Sequence, residues 1–397
     1  MFTLVRRNKD FRNFWYGQIV SQLGDRVHTL AVIWLVYSWS NSGSAVGFVL
    51  IASTLPAFLI SPLAGSLLDK YDRKKIMIIC DFLRSALVLI LSILAFMNML
   101  NLPIIVAFTA VISIGAAFFN PATMSIMPSL VKQEELTQAN AFYQLSVNAS
   151  GAFGFLLGSG LIALIGVPVA FLINGFSFLL SAYFIMKLAY KHVPVIRESH
   201  FWADFKEGWN VTKKIPLIIK LFTPIIIINF FLSALYILIP VFAEGVFNRG
   251  SSGLGMMMTG LTLGMFFGAL IMLRNKLQIS IRMLLFASLC LIGLAFMMMS
   301  FFEDFNFYLF AFAVIGVFLN ISNIALMALF QKIVPNEVRG KVFGLLTSAS
   351  VSSQPISYGV MGLLTDLVAP GTILLFCAVA LTLTAFRFLT IKELKQV

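Results

Sequence analysis

Charge is what this chain most lacks. Only 11% of its 397 residues are Asp, Glu, Lys or Arg, against roughly 25% in an ordinary soluble domain. With 60% apolar residues and a mean hydropathy of +0.96, so little charge excludes a water-soluble fold and makes the bilayer the solvent. Ligand chemistry is equally thin. Cys80, Cys290 and Cys377 stand far apart in apolar runs, which excludes a disulfide framework or a zinc motif and reads as small buried hydrophobes. His28, His192 and His200 form no cluster, so neither a metal nor a cofactor is expected. No Walker sequence is present, and with it goes an ATPase within the chain. No A-x-A-like cleavage site follows the basic start MFTLVRRNKDFRNF, so the first apolar run is expected to stay as a helix.

What the chain has in abundance is apolar runs of the length a membrane helix needs, about 20 residues. They fall at 13–38, 44–68, 76–98, 103–127, 140–165 and 168–187, then at 217–244, 253–273, 282–301, 305–330, 341–366 and 371–390. The expected fold is therefore an all-α membrane protein of twelve transmembrane helices in two pseudo-symmetric six-helix bundles. The bundles are residues 1–187 and 217–397, joined by a linker over 188–216. Asn120, Pro128 and Glu135 in the first half are echoed by Asn320, Pro335 and Glu337 in the second, and repeated halves are common in secondary transporters.

The net charge of +12 is a matter of topology. Lys and Arg cluster at the termini, at 70–75, in the linker, at 274–282 and at 332–341, while the opposite loops hold only Arg249. By the positive-inside rule both termini and the linker are expected in the cytoplasm, in the inner (plasma) membrane. The basic residues then face lipid headgroups, and no nucleic acid is expected as a partner. In the linker, Phe201, Trp202, Phe205 and Trp209 share one face of a helix expected along the membrane surface.

After the second run the chain reads Gly65-Ser66-Leu67-Leu68-Asp69-Lys70-Tyr71-Asp72-Arg73-Lys74-Lys75. This resembles the G-x-L-x-D-[RK]-x-x-R-[RK] loop of the major facilitator superfamily. Ser21-Gln22-Leu23-Gly24-Asp25, Asn120-Pro121-Ala122, Asn140 and Val338-Arg339-Gly340-Lys341-Val342 are similar to one branch of it, the macrolide-efflux-type drug:proton antiporters and enterobactin-exporter-like proteins. The resemblance covers essentially the whole chain. It implies that Asp69, with Gly65, Lys70, Arg73 and Lys74, forms a gating loop whose carboxylate meets the N-terminal dipole of helix eleven when the transporter faces outward. Two departures stand out. Helix five keeps Gly154, Gly158 and Gly160 but lacks the antiporter Gly-Pro pair, and the loop at 273–276 has no acidic residue.

Among membrane-depth residues, Asp25 is the costliest, at the middle of helix one, and intramembrane ionisable groups are functional hypotheses by default. Gln18, Gln22, Asp25 and Thr29 share one helix face, as the wall of a water-filled cavity would. Asp25 is the candidate proton-coupling residue; the alternative is a carboxylate satisfied by Arg26. Asp81 and Arg84, at i and i+3, can pair, as a structural latch with the Arg73 loop or with Arg84 as the counter-charge of Asp25. Asn120, Asn148, Asn229, Asn320, Asn323 and Gln354 are cavity candidates or helix–helix glue. Gly154 and Gly158 allow close helix contact, which the resemblance places at the gating interface.

The expected function is transport and not catalysis: proton-coupled export of an amphiphilic small molecule such as a drug, macrolide-like compound or siderophore, by a monomer. A lipid or lysophospholipid translocator is the alternative. A metal exporter and a non-transporting sensor come behind it, the latter because the loops leave no room for an output domain.

Overall fold

The computed structural model describes residues 3–190, 206, 209–273, 279–335 and 339–395. Phe201, Trp202, Phe205, Arg274, Asn275, Lys276 and Val338 lie outside the described residues, as do the side chains of Asp69, Lys70, Arg339 and Lys341. Among the described residues there are helices and turns and no strand. A short helix, Thr3–Arg7, precedes twelve long ones. They are α1 Lys9–Ser40, α2 Gly43–Lys70, α3 Arg73–Phe96, α4 Leu102–Leu130, α5 Leu136–Ile165 and α6 Val167–Met186. The second set is α7, which starts at Pro216–Ser233, then α8 Gly250–Leu273, α9 Ile281–Phe301, α10 Phe305–Ile333, α11 Arg339–Leu367 and α12 Pro370–Thr390. Hydropathy sees only the apolar part of each helix, so α1 begins before residue 13 and α4 continues past Pro121 and Pro128 to Leu130. Prolines inside membrane helices are tolerated where neighbouring helices and side chains re-satisfy the carbonyls they free. α7 continues through Leu235–Pro240 and ends in a wide π-helical turn, Val241–Val246.

Short polar residues start these helices by accepting the orphan N–H groups of the first turn. Asp72 caps α3, accepting from Lys74 and Lys75 N–H. Asn101 caps α4 through Ile104 N–H at 3.0 Å. In the second half Ser280 caps α9 through Met283 N–H and Asp304 caps α10 through Phe307 N–H at 2.8 Å. The caps put the two halves in register: α3 with α9, and α4 with α10. Packing repeats too, α3 lying along α6 as α9 lies along α12. In this register Asn120 matches Asn323, both the nineteenth residue of their helices, instead of Asn320.

Ten of the twelve are long and apolar enough to cross a membrane. α1 and α11 are the two left out, because their middles are polar: Gln18, Gln22, Asp25, Arg26 and His28 in one, Ser350, Ser352, Ser353 and Gln354 in the other. The chain packs as two compact units. The first is Met1–Trp39, Ala52–Ser199 and Gly250–Gly255; the second is Ser40–Ile51, His200–Arg249 and Met256–Val397.

Candidate functional site

The interior of the first unit is charged. Asp81 and Arg84, one turn apart on α3, are both buried and form a salt bridge. The Arg84 guanidinium lies between two rings, 4.2 Å from the Phe119 centroid on α4 and 4.3 Å from Phe178 on α6, an arrangement that attracts a cation to both faces. Gly115 makes this possible, since a Cβ there would stand 3.1 Å from Arg84 Cγ. Asp25, near the middle of α1, is within electrostatic reach of Arg84, Arg26 and Asp81, and the Asn174 side chain stands beside it. Gly24 brings α1 this close, its Cα facing Ser177 and Asn174 of α6.

Two acids and two bases thus lie in one region, Asp81 and Arg84 buried and Asp25 and Arg26 half-buried, and sum to zero when all are ionised. A buried pair broken on one side leaves an uncompensated charge costing several kcal/mol, so the protonation of one acid must be felt by the other three groups. Gln18 Nε2, His28 Nδ1 and Arg84 Nε are buried without a hydrogen-bond partner. Buried polar atoms in this state are rare in proteins. Gln22 is half-buried on α1. Gly154 and Gly158 seat α5 against Arg26 and Val27 of α1.

The second unit, at the matching place, has a cavity of about 270 Å³ lined from α7, α9, α10, α11 and α12. Asn229, Ser322, Asn323, Thr347 and Ser350 are its polar lining; Leu289, Ile292, Phe330 and Phe388 are among the apolar residues. Asn320 instead donates to the Met265 carbonyl, tying α10 to α8. Asn120 is exposed on α4, Asn148 accepts from Gln144 at 3.4 Å, and Gln354 is half-buried on α11 away from the cavity.

In the loop after α2, Arg73 donates to the carbonyls of Leu68 and Ser125, and Lys74 Nζ donates to the Leu188 carbonyl at 2.7 Å. Gly65, Asp69 and Lys70 belong to the last turns of α2. The sequence reading passed over Phe119, Phe178, Ser322 and the α3 cap Asp72. Only Asp72 left a signal, a short acid directly before an apolar run; which of 40 phenylalanines flank an arginine depends on the helix packing. Among the described residues no group of three or more His, Cys, Asp or Glu could hold a metal.

A family described as transmembrane secretion effector matches residues 5–396. The uncharacterized MFS-type transporter YfiS of Bacillus subtilis (strain 168) is 25% identical over 99% of this chain and 95% of its own length. Macrolide efflux protein A of Streptococcus pyogenes is 26% identical over 90% of this chain and 89% of its own. Among solved structures, a bacterial homologue of the iron transporter ferroportin in an inward-facing state superposes with a TM-score of 0.73, covering 96% of this chain and 97% of that one at 16% identity, a likeness of fold. The chain belongs to the transmembrane secretion effector family, as a multi-pass membrane transporter of the major facilitator superfamily near the macrolide-efflux branch, and it is not an enzyme.

Proposed function

We propose that this transporter is a proton-coupled exporter of an amphiphilic small molecule, working by alternating access. The observation that supports the reading is that Asp25 stands within electrostatic reach of the buried Arg84–Asp81 salt bridge inside the first unit. With Asp25 ionised the four charges balance. A proton on Asp25 leaves one positive charge in excess, and relieving it favours a rearranged state that opens this region to water. Proton uptake from one side and loss to the other then drive the cycle. Export is supported by the efflux relative. The bundles are residues 1–187 and 217–397 with a linker at 188–216, the protein acts as a monomer in the plasma membrane, and Asp69 with Arg73 serves as a cytoplasmic gating loop.

In proteoliposomes with an imposed pH gradient, screened with macrolides and other amphiphiles, Asp25→Asn is expected to abolish uphill transport while keeping downhill exchange. Uphill transport by Asp25→Asn at the wild-type rate would remove Asp25 from coupling. Orientation is tested by single cysteines: those at Asn41 and Asn306 should react with an impermeant thiol reagent from outside, and the reverse pattern would invert the termini.

A further inference from the structure

We infer that the cavity of the second unit is a binding site for a small uncharged amphiphile, a mainly apolar body bearing one hydrogen-bonding group that meets Ser322 Oγ. The cap register explains why space exists there. Asp81 and Arg84 are the ninth and twelfth residues of α3; Leu289 and Ile292 are the ninth and twelfth of α9. Phe119 and Ser322 are both the eighteenth residue of their helices. The long arginine and one of the rings flanking it thus correspond to an isoleucine and a serine, and both of those line the cavity.

Four features give the cavity its selectivity. No Asp, Glu, Lys or Arg lines it, so an ionised ligand would find hydrogen-bonding groups but no counter-charge there, which favours an uncharged one. Ser322 is only 8% exposed and its Oγ has no hydrogen-bond partner, although a serine within a helix has carbonyls within reach. A buried hydroxyl in that state costs free energy until something bonds to it; the residue lines the cavity, and a turn about its Cα–Cβ bond is what presents the now-covered Oγ to a ligand. The volume, about 270 Å³, is nearly twice that of the roughly 150 Å³ apolar cavity known to hold benzene, room for about a two-ring molecule. The Phe330 and Phe343 rings, edge to face at 6.3 Å, form part of the same wall and suit an aromatic or alicyclic body.

The site sharpens the export reading by naming a substrate class, and it rests on that reading for its place in transport. Its test is equilibrium binding, which needs no gradient. The full chain in lipid nanodiscs is titrated with 1-naphthol and with naphthalene, empty nanodiscs being subtracted. Wild type should bind 1-naphthol saturably and prefer it to naphthalene. Ser322→Ala should lose about threefold to tenfold in 1-naphthol affinity and erase the preference, and Ser322→Phe, restoring the ring that the first unit has, should abolish binding of both. Where Ser322→Phe fails to fold, the Ser322→Ala preference decides alone. No saturable binding by wild type, a preference unchanged in Ser322→Ala, or wild-type binding by a folded Ser322→Phe overturns the site. Saturable 1-naphthol binding by wild type together with no proton-driven 1-naphthol transport by wild type in proteoliposomes counts against the export reading and leaves the site standing.

Discussion

The two units solve the same packing problem with opposite materials. At matching positions of α3 and α9 the first unit places Asp81 and Arg84, the second Leu289 and Ile292. The first is ionic, with the guanidinium between Phe119 and Phe178; the second is uncharged and hollow. A duplicated scaffold can therefore divide labour: charge that responds to protons in one half, volume that takes an uncharged molecule in the other. The helix starts and neighbour pairings are shared, so the difference resides in a few interior side chains.

The largest effect expected from breaking this contrast comes from converting one interior into the other by halves. Arg84→Ile leaves Asp81 buried without its partner, which costs about 3–5 kcal/mol. Adding Asp81→Leu, so that α3 carries the pair found in α9, should restore at least half of that loss, because no charge is then left unpaired. Denaturant unfolding in mixed micelles measures both. A double variant as unstable as the single one would show that the ionic pair itself, and not the stranded charge, holds the interior together.

Much of this contrast was legible in the sequence. Twelve apolar runs and their basic punctuation suffice for twelve helices, because in a bilayer the helix is the only open-ended way to satisfy every backbone group. Asp25, Asp81 and Arg84 could be singled out since a membrane-depth charge is costly wherever it lies. The cavity could not. Leu289, Ile292 and Ser322 look like any membrane residues, and a cavity arises from what five helices fail to fill. Asn323 and Asn320 show the same limit: three residues apart on α10, one lines the cavity and the other bonds the α8 backbone, and no composition distinguishes them.

A smaller effect is expected where the second unit is packed backbone to backbone. A Cβ on Gly264 of α8 would run into the Ala313 peptide of α10, with the Ala313 carbonyl carbon at 2.8 Å. Backbone cannot rotate aside, so Gly264→Ala should cost about 1–3 kcal/mol as overpacking does. Gly160→Ala in the first unit, where nothing lies within 4 Å, is the control and should be neutral or slightly stabilising. Equal thermal shifts for the two variants would mean that the helices part freely at Gly264, and that the second unit is softer than its close contacts imply.

The smallest effect concerns how each unit holds the first turns of a helix borrowed from the other half of the sequence. The first unit takes Gly250–Gly255 at the start of α8, and the second takes Ser40–Ile51 at the start of α2. In the first the contact is steric, Gly255 lying directly against Ser159 and the Phe155 backbone of α5. In the second it is electrostatic. The Asp366 carboxylate, in the last turn of α11, accepts from Gly43 N–H at 2.7 Å, Ser44 N–H at 3.2 Å, Ser42 Oγ at 2.8 Å and Ser44 Oγ. It therefore acts as a cap supplied by another helix, placed where the α2 macrodipole favours negative charge. Because Asp366 is exposed, water can replace much of what it provides, and the expected loss for Asp366→Ala is at the low end of capping energies, about 0.5–1 kcal/mol. Asp366→Asn keeps one acceptor oxygen and loses the charge, so it should fall between Ala and wild type. Thermal unfolding orders the three proteins, and hydrogen exchange at the Gly43 and Ser44 amides reports the cap directly. Those two amides should exchange faster in Asp366→Ala while the α8 amides at Gly255 and Met256 stay as in wild type. Unchanged exchange at Gly43 and Ser44 would mean that Ser42, whose Oγ also accepts from Ala45 N–H, caps α2 unaided, and that both borrowed helix starts are held by packing alone.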